Sequence, residues 1–246
     1  MSSYCYVGRY NDNKVFINEN IDAILMSIYN WSTSQRWPKV PNQIDDKYYV
    51  IDIGCSTDVA LMSKHYDWNQ VFEFFNAWPK IKSTFATKYP TRFKAEQYNL
   101  YPGKHRLRVS LMPQVYSDIL EPNTDSIDTR ISMIPKLQQK MEVHINFSPI
   151  IYHDNWLENY RELFEKLKGI DFKSECIFLT YNNIQFLKNS EQVNEICWKP
   201  DIQERKDSQY AADNLRYKWD LKAQMIKDFK ALYSEYFELS TIRYIF

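Results

Sequence analysis

The sequence predicts an α/β fold whose parallel strands form a barrel or part-barrel. Short runs rich in β-branched and aromatic residues alternate with longer segments of helical period, which is the pattern of βαβ units. The chain has 246 residues and 44% hydrophobic content, enough to bury the core of one such domain. Polar side chains stand where several strands are expected to end, and α/β barrels place their chemistry at that edge. We therefore expect residues 1–246 to form one domain.

In the first half of the chain, helical and strand patterns alternate. Apolar residues recur at helical spacing over 17–31, with Asn18 or Asn20 as the expected cap. Residues 48–53 form a β-branched run that predicts a strand, and aromatic residues at helical spacing predict a helix over 69–77. Two further short runs predict strands over 83–88 and 106–112.

The second half continues the alternation. Residues 125–140 have helical character, with Pro135 expected to kink the helix or to end its first part. An amphipathic helix is predicted over 156–168, where Gly169 is a suitable stop. The polar stretch 200–213 is expected to be irregular. The remaining predicted elements are strands over 142–148, 176–180 and 243–246 and a helix over 221–236.

Composition excludes several function classes. The four glycines form neither a G-x-G-x-x-G nor a G-x-x-x-x-G-K-[ST] motif, which disfavours a Rossmann dinucleotide site and a P-loop. The chain has 31 basic and 31 acidic residues, and this balance argues against a protein held on nucleic acid mainly by a large positive field. A local basic channel is compatible with it.

The cysteines and the hydropathy pattern indicate the compartment. Cys5, Cys55, Cys176 and Cys197 form no C-x-x-C pair, and scattered thiols of this kind are typical of a reducing, cytoplasmic environment. No apolar run approaches 20 residues, and the N-terminus lacks a signal pattern, so no membrane association is expected. The four histidines show no metal-ligand spacing, which disfavours a histidine metal site.

Several polar residues stand at predicted strand ends. Cys55 follows Gly54 at one such end, where it is either a small packed hydrophobe or a side chain that faces a cavity. Lys88 closes an apolar strand, so its ammonium group either reaches solvent or meets an anion. Asp58 and Ser110 are expected at the same edge. Two further expectations concern structural roles: Asp45 and Asp46 as solvated loop charges, and His144 as a satisfied core histidine. Two others stay open. Asp154 either caps a helix or, with His153, reaches the mouth of the barrel, and the basic aromatic patch of Arg216, Tyr217, Lys218 and Lys222 is either a solvated helix face or a surface that binds phosphates and bases.

Eight segments, taken together and in order, resemble one family. They are Tyr4-Cys5-Tyr6, Gly54-Cys55-Ser56-Thr57-Asp58, Thr87-Lys88, Arg108-Val109-Ser110-Leu111-Met112-Pro113, Leu120-Glu121-Pro122-Asn123-Thr124, the stretch 148–156 from Ser148-Pro149 to Asn155-Trp156, Leu215-Arg216-Tyr217-Lys218 and Ile242-Arg243-Tyr244-Ile245-Phe246. The chain is similar to spore photoproduct lyase and its relatives, the radical SAM DNA-repair lyases, and more to the broader lyase-like branch than to the spore enzyme itself.

The resemblance implies a partial (βα)6-type barrel without its first strand, a [4Fe-4S] cluster and S-adenosylmethionine (AdoMet). It makes Cys5 the third cysteine of a C-x3-C-x2-C cluster loop. Cys55 corresponds to the residue that donates a hydrogen atom to the substrate radical. Tyr4 and Tyr6 correspond to tyrosines that flank the cluster cysteine, one of which takes part in relaying a hydrogen atom.

The same resemblance implies a cofactor site and a substrate. Ser56, Lys88 and Ser110 match positions that hold AdoMet. The implied substrate is a DNA lesion or a related nucleic acid, and an external electron donor would be a partner. The candidates for contacts with substrate phosphates and bases are Arg130, His153, Trp156 and Arg216.

The cluster loop departs from the family pattern. Counting back from Cys5, the second cysteine falls at Ser2 and the first before Met1. One thiolate does not hold a cubane cluster. The expectation is therefore a member of the family truncated within its cluster loop. A chain read from too late a start or cut from a longer protein would account for this, and so would an inactive member that binds nucleic acid or a protein partner.

Overall fold

The computed structural model describes residue 3 and residues 17–55, 57–206 and 213–246. Four of the expected site residues, Tyr4, Cys5, Tyr6 and Ser56, lie outside the described residues.

Strands and helices alternate along most of the described chain. The strands are β1 Tyr49–Asp52, β2 Ile81–Thr87, β3 His105–Leu111, β4 Glu142–Ile150, β5 Lys173–Phe178, β6 Thr180–Asn182, β7 Gln203–Arg205, β8 Asn214–Tyr217 and β9 Ile242–Ile245. The helices are α1 Ile21–Ser34, α2 Val59–Met62, α3 Trp68–Ala77, α4 Gln114–Leu120, α5 Ile127–Gln138, α6 Trp156–Leu167, α7 Asn183–Lys188, α8 Glu191–Cys197 and α9 Trp219–Ser234.

Six of the strands form one sheet in the order β1-β2-β3-β4-β5-β9. The pairs β1–β2, β2–β3 and β5–β9 are parallel. These six strands overlap the six that the sequence predicts, so the α/β class with a parallel sheet is confirmed. A second sheet, in the order β6-β8-β7, is antiparallel.

The described residues fall into two compact units. One contains 17–55, 57–110 and 132–145, and the other contains residue 3, 111–131, 146–206 and 213–246. We call them the Cys55 unit and the His153 unit, after a candidate residue in each.

An aromatic core fixes the helices of the Cys55 unit against its strands. Phe72 on α3 packs against Phe85 on β2 and against the ring of His105 on β3, with ring centroids 6.1 and 5.0 Å apart. Both Phe72 and Phe85 are fully buried. Since side chains alternate along a strand, the neighbours of His105 on β3, Arg106 and Arg108, face away from α3.

The His153 unit has a second aromatic core. Phe147 on β4 contacts Phe164 on α6 and Phe229 on α9, with ring centroids 5.6 and 6.0 Å apart. Helix α6 ends where Gly169 takes a positive φ of 80°, which confirms the expected stop. Its N-cap is Asn155 in the left-handed region rather than Asp154.

Three differences from the sequence-based expectations concern short elements. Helix α5 continues through Pro135 to Gln138, so of the two effects expected of the proline, a kink or an end of the helix, the end does not occur. The stretch 200–213 is not wholly irregular, because it contains β7. The basic residue Arg216 lies on β8, so the expectation of a solvated helix face is wrong there. These strands are only a few residues long, and their pairing depends on partners distant in sequence.

In the described part of the chain, no helix is both long and apolar enough to cross a bilayer.

Candidate active site

The turn after β1 presents the Cys55 thiol to solvent. Cys55 is exposed, whereas Cys176 and Cys197 are buried. The turn begins where the Gly54 N–H donates to Asp52 Oδ1 at 2.9 Å. A Cβ atom at Gly54 would lie 3.1 Å from the Phe85 Cβ, so glycine allows this turn to approach β2 closely.

Asp58 connects the same turn to the end of β2 through hydrogen bonds. Its Oδ1 accepts from the N–H groups of Ala60 and Leu61 at the start of α2, and from the Thr87 hydroxyl at 2.8 Å. Its Oδ2 accepts from the Lys88 N–H at 2.9 Å. One carboxylate therefore caps a helix and fixes the backbone at Lys88 relative to the turn that carries Cys55.

The strand register brings Lys88 and Ser110 to the same edge of the sheet. Thr87 on β2 pairs with Val109 on β3, so the next residues along the two strands are Lys88 and Ser110. Lys88 is half-buried, and Ser110 is buried with 3% of its surface exposed. The structure thus brings together three of the sequence-predicted residues, Cys55, Lys88 and Ser110, at the carboxyl ends of three neighbouring parallel strands.

A partly exposed ion pair lies next to this edge. Arg108 Nη2 donates to Asp52 Oδ2, and the other oxygen of Asp52 accepts the Gly54 N–H described above. The guanidinium of Arg108 therefore supports the turn that holds Cys55. Sequence analysis did not single out Arg108 or Asp52 for this role, although their alternation with apolar residues on the strands was a usable signal.

The thiols of Cys176 and Cys197 are buried in the core and are unsuited to bind a metal ion. Burial raises the pKa of Cys176 and of Cys197 to about 12, so neither is a thiolate near neutral pH. Within the described ranges, no group of three or more His, Cys, Asp or Glu side chains could hold a metal ion. The expected cluster ligand, Cys5, lies outside those ranges.

His153 and Trp156 lie together in the His153 unit. The His153 carbonyl accepts the Trp156 N–H at 3.1 Å at the start of α6, and the His153 ring lies 6.1 Å from the Tyr116 ring. His153 is half-buried, but Trp156 is buried with 6% exposure and packs against Tyr160. His153 can thus reach a ligand, while Trp156 contributes mainly to the core.

Arg130 is not available to a substrate phosphate. Its side chain is fully buried, and Nη1 donates to Glu121 Oε2 at 2.7 Å. The remaining donors include Nε to the Asp125 carbonyl at 2.8 Å and Nη2 to the Thr124 hydroxyl at 2.5 Å. The expectation of a substrate contact at Arg130 is therefore corrected to a structural role.

Arg216 is partly exposed but is not a free cation. Its Nε donates to Glu204 Oε1 at 3.2 Å across the β7–β8 pair, with 39% of each side chain exposed. The next residue, Tyr217, is buried and accepts the Tyr152 N–H at 2.8 Å. Within this patch, Arg216 is therefore paired with Glu204 and Lys218 is exposed, whereas Tyr217 between them has a structural role.

The opposite edge of the sheet holds a cluster of buried charges. Arg106 on β3 donates to Asp45 at 2.8 Å and to Glu142 at 3.0 Å, and Lys82 on β2 contacts the same two carboxylates. Burial would raise the pKa of Glu142, but a hydrogen bond from His144 and the charges of Arg106 and Lys82 outweigh it and hold that pKa well below its ordinary value.

This cluster corrects one expectation and confirms another. Asp45 is not a solvated loop charge, because only 9% of its side chain is exposed and it joins a buried network. His144 is a satisfied core histidine, with Nε2 at 2.5 Å from Glu142. The cluster lies at the amino ends of β2–β4, the edge that contributes stability rather than chemistry in α/β barrels.

Comparison with known proteins gives the family. The family model described as "Spore photoproduct lyase" matches residues 2–246. The chain belongs to the spore photoproduct lyase family. Spore photoproduct lyase of Bacillus subtilis (strain 168) is 26% identical over 228 residues. That alignment covers 88% of this chain and 60% of the relative, so the chain spans about 60% of the length of the curated relative it matches.

Solved structures of the family share the fold. A spore photoproduct lyase complexed with dinucleoside spore photoproduct superimposes with a TM-score of 0.80 at 18% identity, covering 100% of this chain and 73% of that one. A variant with bound AdoMet and the same dinucleoside gives 0.79 at 18% identity, with the same coverage of both chains. The radical SAM partial barrel expected from the sequence is thereby confirmed as the fold.

Proposed function

We propose that this protein is a radical SAM enzyme that uses a [4Fe-4S] cluster and AdoMet for radical chemistry on a DNA lesion. Family membership supports the reaction class. The single structural observation that carries the proposal is the exposed Cys55 thiol, held beside the β2 and β3 ends where Lys88 and Ser110 lie. Two solved relatives are complexes with dinucleoside spore photoproduct, so that lesion is the first substrate to test.

The residues present fit AdoMet better than they fit the cluster. Lys88 offers a cation for the carboxylate of AdoMet, and Ser110 offers a hydroxyl at the next strand end, although its small exposed surface limits that contact. Ser56 is carried over from the resemblance. A cluster held by three thiolates needs two cysteines besides Cys5, and neither Cys176 nor Cys197 can supply them from the core.

Cys55 has the role of a hydrogen-atom donor. Bound at this edge, AdoMet and the cluster would supply the one-electron chemistry that generates a carbon radical on the substrate. The Cys55 S–H bond breaks homolytically, its hydrogen atom forms a C–H bond on that carbon, and a thiyl radical is left. The thiyl radical takes a hydrogen atom from the phenol of Tyr4 or Tyr6, which restores the Cys55 S–H bond and leaves a tyrosyl radical. One electron from the external donor and one proton then restore the phenol. The donor must be reachable by the substrate, and the exposure of Cys55 meets that requirement.

The first test is anaerobic reconstitution with iron, sulfide and AdoMet, using dithionite as the electron donor. We expect bound iron and sulfide and reductive cleavage of AdoMet to 5′-deoxyadenosine in protein that carries the two further cysteines of the C-x3-C-x2-C loop, because Cys5 alone does not hold the cluster. Protein that binds neither iron nor sulfide would refute the enzymatic proposal for this chain. If such protein nevertheless binds lesion-containing DNA, the alternative of an inactive binding member is favoured.

The second test isolates Cys55 with a conservative pair of variants. Cys55→Ala and Cys55→Ser should both still cleave AdoMet, since neither removes a proposed AdoMet ligand, but should lose at least about tenfold of the yield of repaired thymines from dinucleoside spore photoproduct. A Cys55→Ala protein with wild-type repair yield would exclude Cys55 as the donor.

A further inference from the structure

A cleft of about 930 Å³ lies in the Cys55 unit. One wall is the C-terminal end of α2 with the residues that follow it, and the other is the turn from Pro90 to Lys94 after β2. The Ser63 hydroxyl donates to the Arg92 carbonyl at 3.4 Å, which joins the two walls. Both walls are short continuations of the strand ends that carry Cys55 and Lys88.

The rim of the cleft is basic. Lys64, Arg92 and Lys94 line it and are exposed, and His65 lies beside them. None of these four side chains forms an ion pair with a carboxylate in the part of the chain that the structure describes. The described lining includes no aspartate or glutamate. Three positive charges therefore share one recess without acidic partners among the described residues.

The floor of the cleft is apolar. Its apolar lining consists of Ile17, Leu61 and Met62, of which Leu61 and Ile17 are exposed large hydrophobic residues with 38% and 50% exposure. Arg92 is held over the Tyr89 ring with its guanidinium carbon 5.1 Å from the ring centroid. A free phosphate would use the rim alone. A nucleic acid strand would use both parts, with phosphates on the cations and sugars or bases on the apolar floor.

We propose that this cleft binds the sugar-phosphate backbone of a DNA strand next to the lesion. This inference rests on the proposed function, because it takes a DNA substrate as given. The overall charge of the chain is zero, so electrostatic attraction for DNA must come from a local concentration of cations such as this one. The turn that carries Cys55 leads directly into α2, whose C-terminal end lines the cleft, so the cleft is connected to the candidate active site through this short helix.

The experiment measures binding of fluorescein-labelled, undamaged DNA oligonucleotides to the full chain by anisotropy, over a series of salt concentrations. The test protein carries Lys64→Ala, Arg92→Ala and Lys94→Ala. The matched control carries Lys136→Ala, Lys140→Ala and Lys227→Ala, which remove the same charge from exposed positions outside the cleft. Thermal unfolding of both proteins checks that they remain folded.

We expect the slope of log Kobs against log salt to shrink by about 2 to 3 in the cleft variant, since each lost phosphate contact removes about 0.7 to 0.9. The control should keep the wild-type slope. Equal slopes in the cleft variant and the wild type would overturn the inference, and so would wild-type protein that binds RNA but no DNA. AdoMet cleavage by the reconstituted protein is measured separately. A negative result for DNA binding in the cleft would therefore not refute the proposed radical chemistry.

Discussion

At the scale of single residues, Arg130 shows how a charged side chain held by a family segment can serve the fold. The segment Leu120-Glu121-Pro122-Asn123-Thr124 carries part of the resemblance, and two of its members, Glu121 and Thr124, hold the Arg130 guanidinium in the core. A buried charge of this kind is tolerated because it is paired and hydrogen-bonded. Removing one partner leaves the other charge buried and alone.

Arg130→Ala should therefore lower the free energy of unfolding by about 3 to 5 kcal/mol, measured by urea denaturation. The double variant Arg130→Met with Glu121→Gln should lose much less, because no unpaired charge remains. Arg161→Ala is a surface control, since its Glu235 pair is exposed, and should change stability little. An Arg130→Ala protein as stable as the wild type would contradict the structural role.

At the scale of elements, Asp58 links helix α2 to the end of strand β2. The two oxygens of its carboxylate have separate tasks, because Oδ1 accepts the helix N–H groups and the Thr87 hydroxyl while Oδ2 accepts the Lys88 N–H. This division lets one substitution separate the helix cap from the positioning of Lys88.

Asp58→Asn keeps an acceptor oxygen for the helix and Thr87 but replaces the acceptor for the Lys88 N–H with a donor. We expect Asp58→Asn to retain near wild-type thermal stability and to bind AdoMet more weakly, by isothermal titration. Asp58→Ala should lose stability as well as affinity for AdoMet, and the missing helix cap should lower its free energy of unfolding by about 1 to 2 kcal/mol. If Asp58→Asn bound AdoMet as tightly as the wild type, the position of Lys88 would not depend on this bond.

At the scale of the whole molecule, buried titratable groups make stability depend on pH. Burial lowers the pKa of His105 from 6.5 to about 3, and the charges of Lys104 and Lys82 act in the same direction. The His105 ring bonds to the Ser83 hydroxyl and to Asn76, both at 2.8 Å. Between pH 6.5 and 3 the unfolded chain binds a proton at His105 that the folded chain does not, so stability falls as the pH decreases.

The wild type should therefore lose stability between pH 6.5 and 4.5 more steeply than His105→Gln, by up to about 1.4 kcal/mol per pH unit. Below pH 4.5 both proteins should lose further stability, because the depressed pKa of Glu142 stabilises the fold only while the unfolded carboxyl is also ionised. Urea unfolding at several pH values measures both windows. If the unfolding free energies of the wild type and of His105→Gln fell in parallel with pH above 4.5, His105 would titrate normally in the folded protein.

Much of the fold was predictable because local patterns carry it. The six expected strands correspond to β1–β5 and β9, since short β-branched runs and the helices between them are read from neighbouring residues. The small β6-β8-β7 sheet was missed, because its three- and four-residue strands pair antiparallel across long loops. Such pairing leaves little periodicity in the sequence.

The candidate site, like the fold, was predictable in part. The sequence by itself determined the family, the parallel sheet and the arrival of Cys55, Lys88 and Ser110 at strand ends, because these follow from residue order and strand direction. The tertiary structure decided that Arg130 is buried with Glu121, that Asp45 joins a buried ion network, and that Lys64, Arg92 and Lys94 surround one cleft. The physical reason is that burial and ion pairing depend on partners brought together by folding, and a side chain's own sequence neighbours do not specify them.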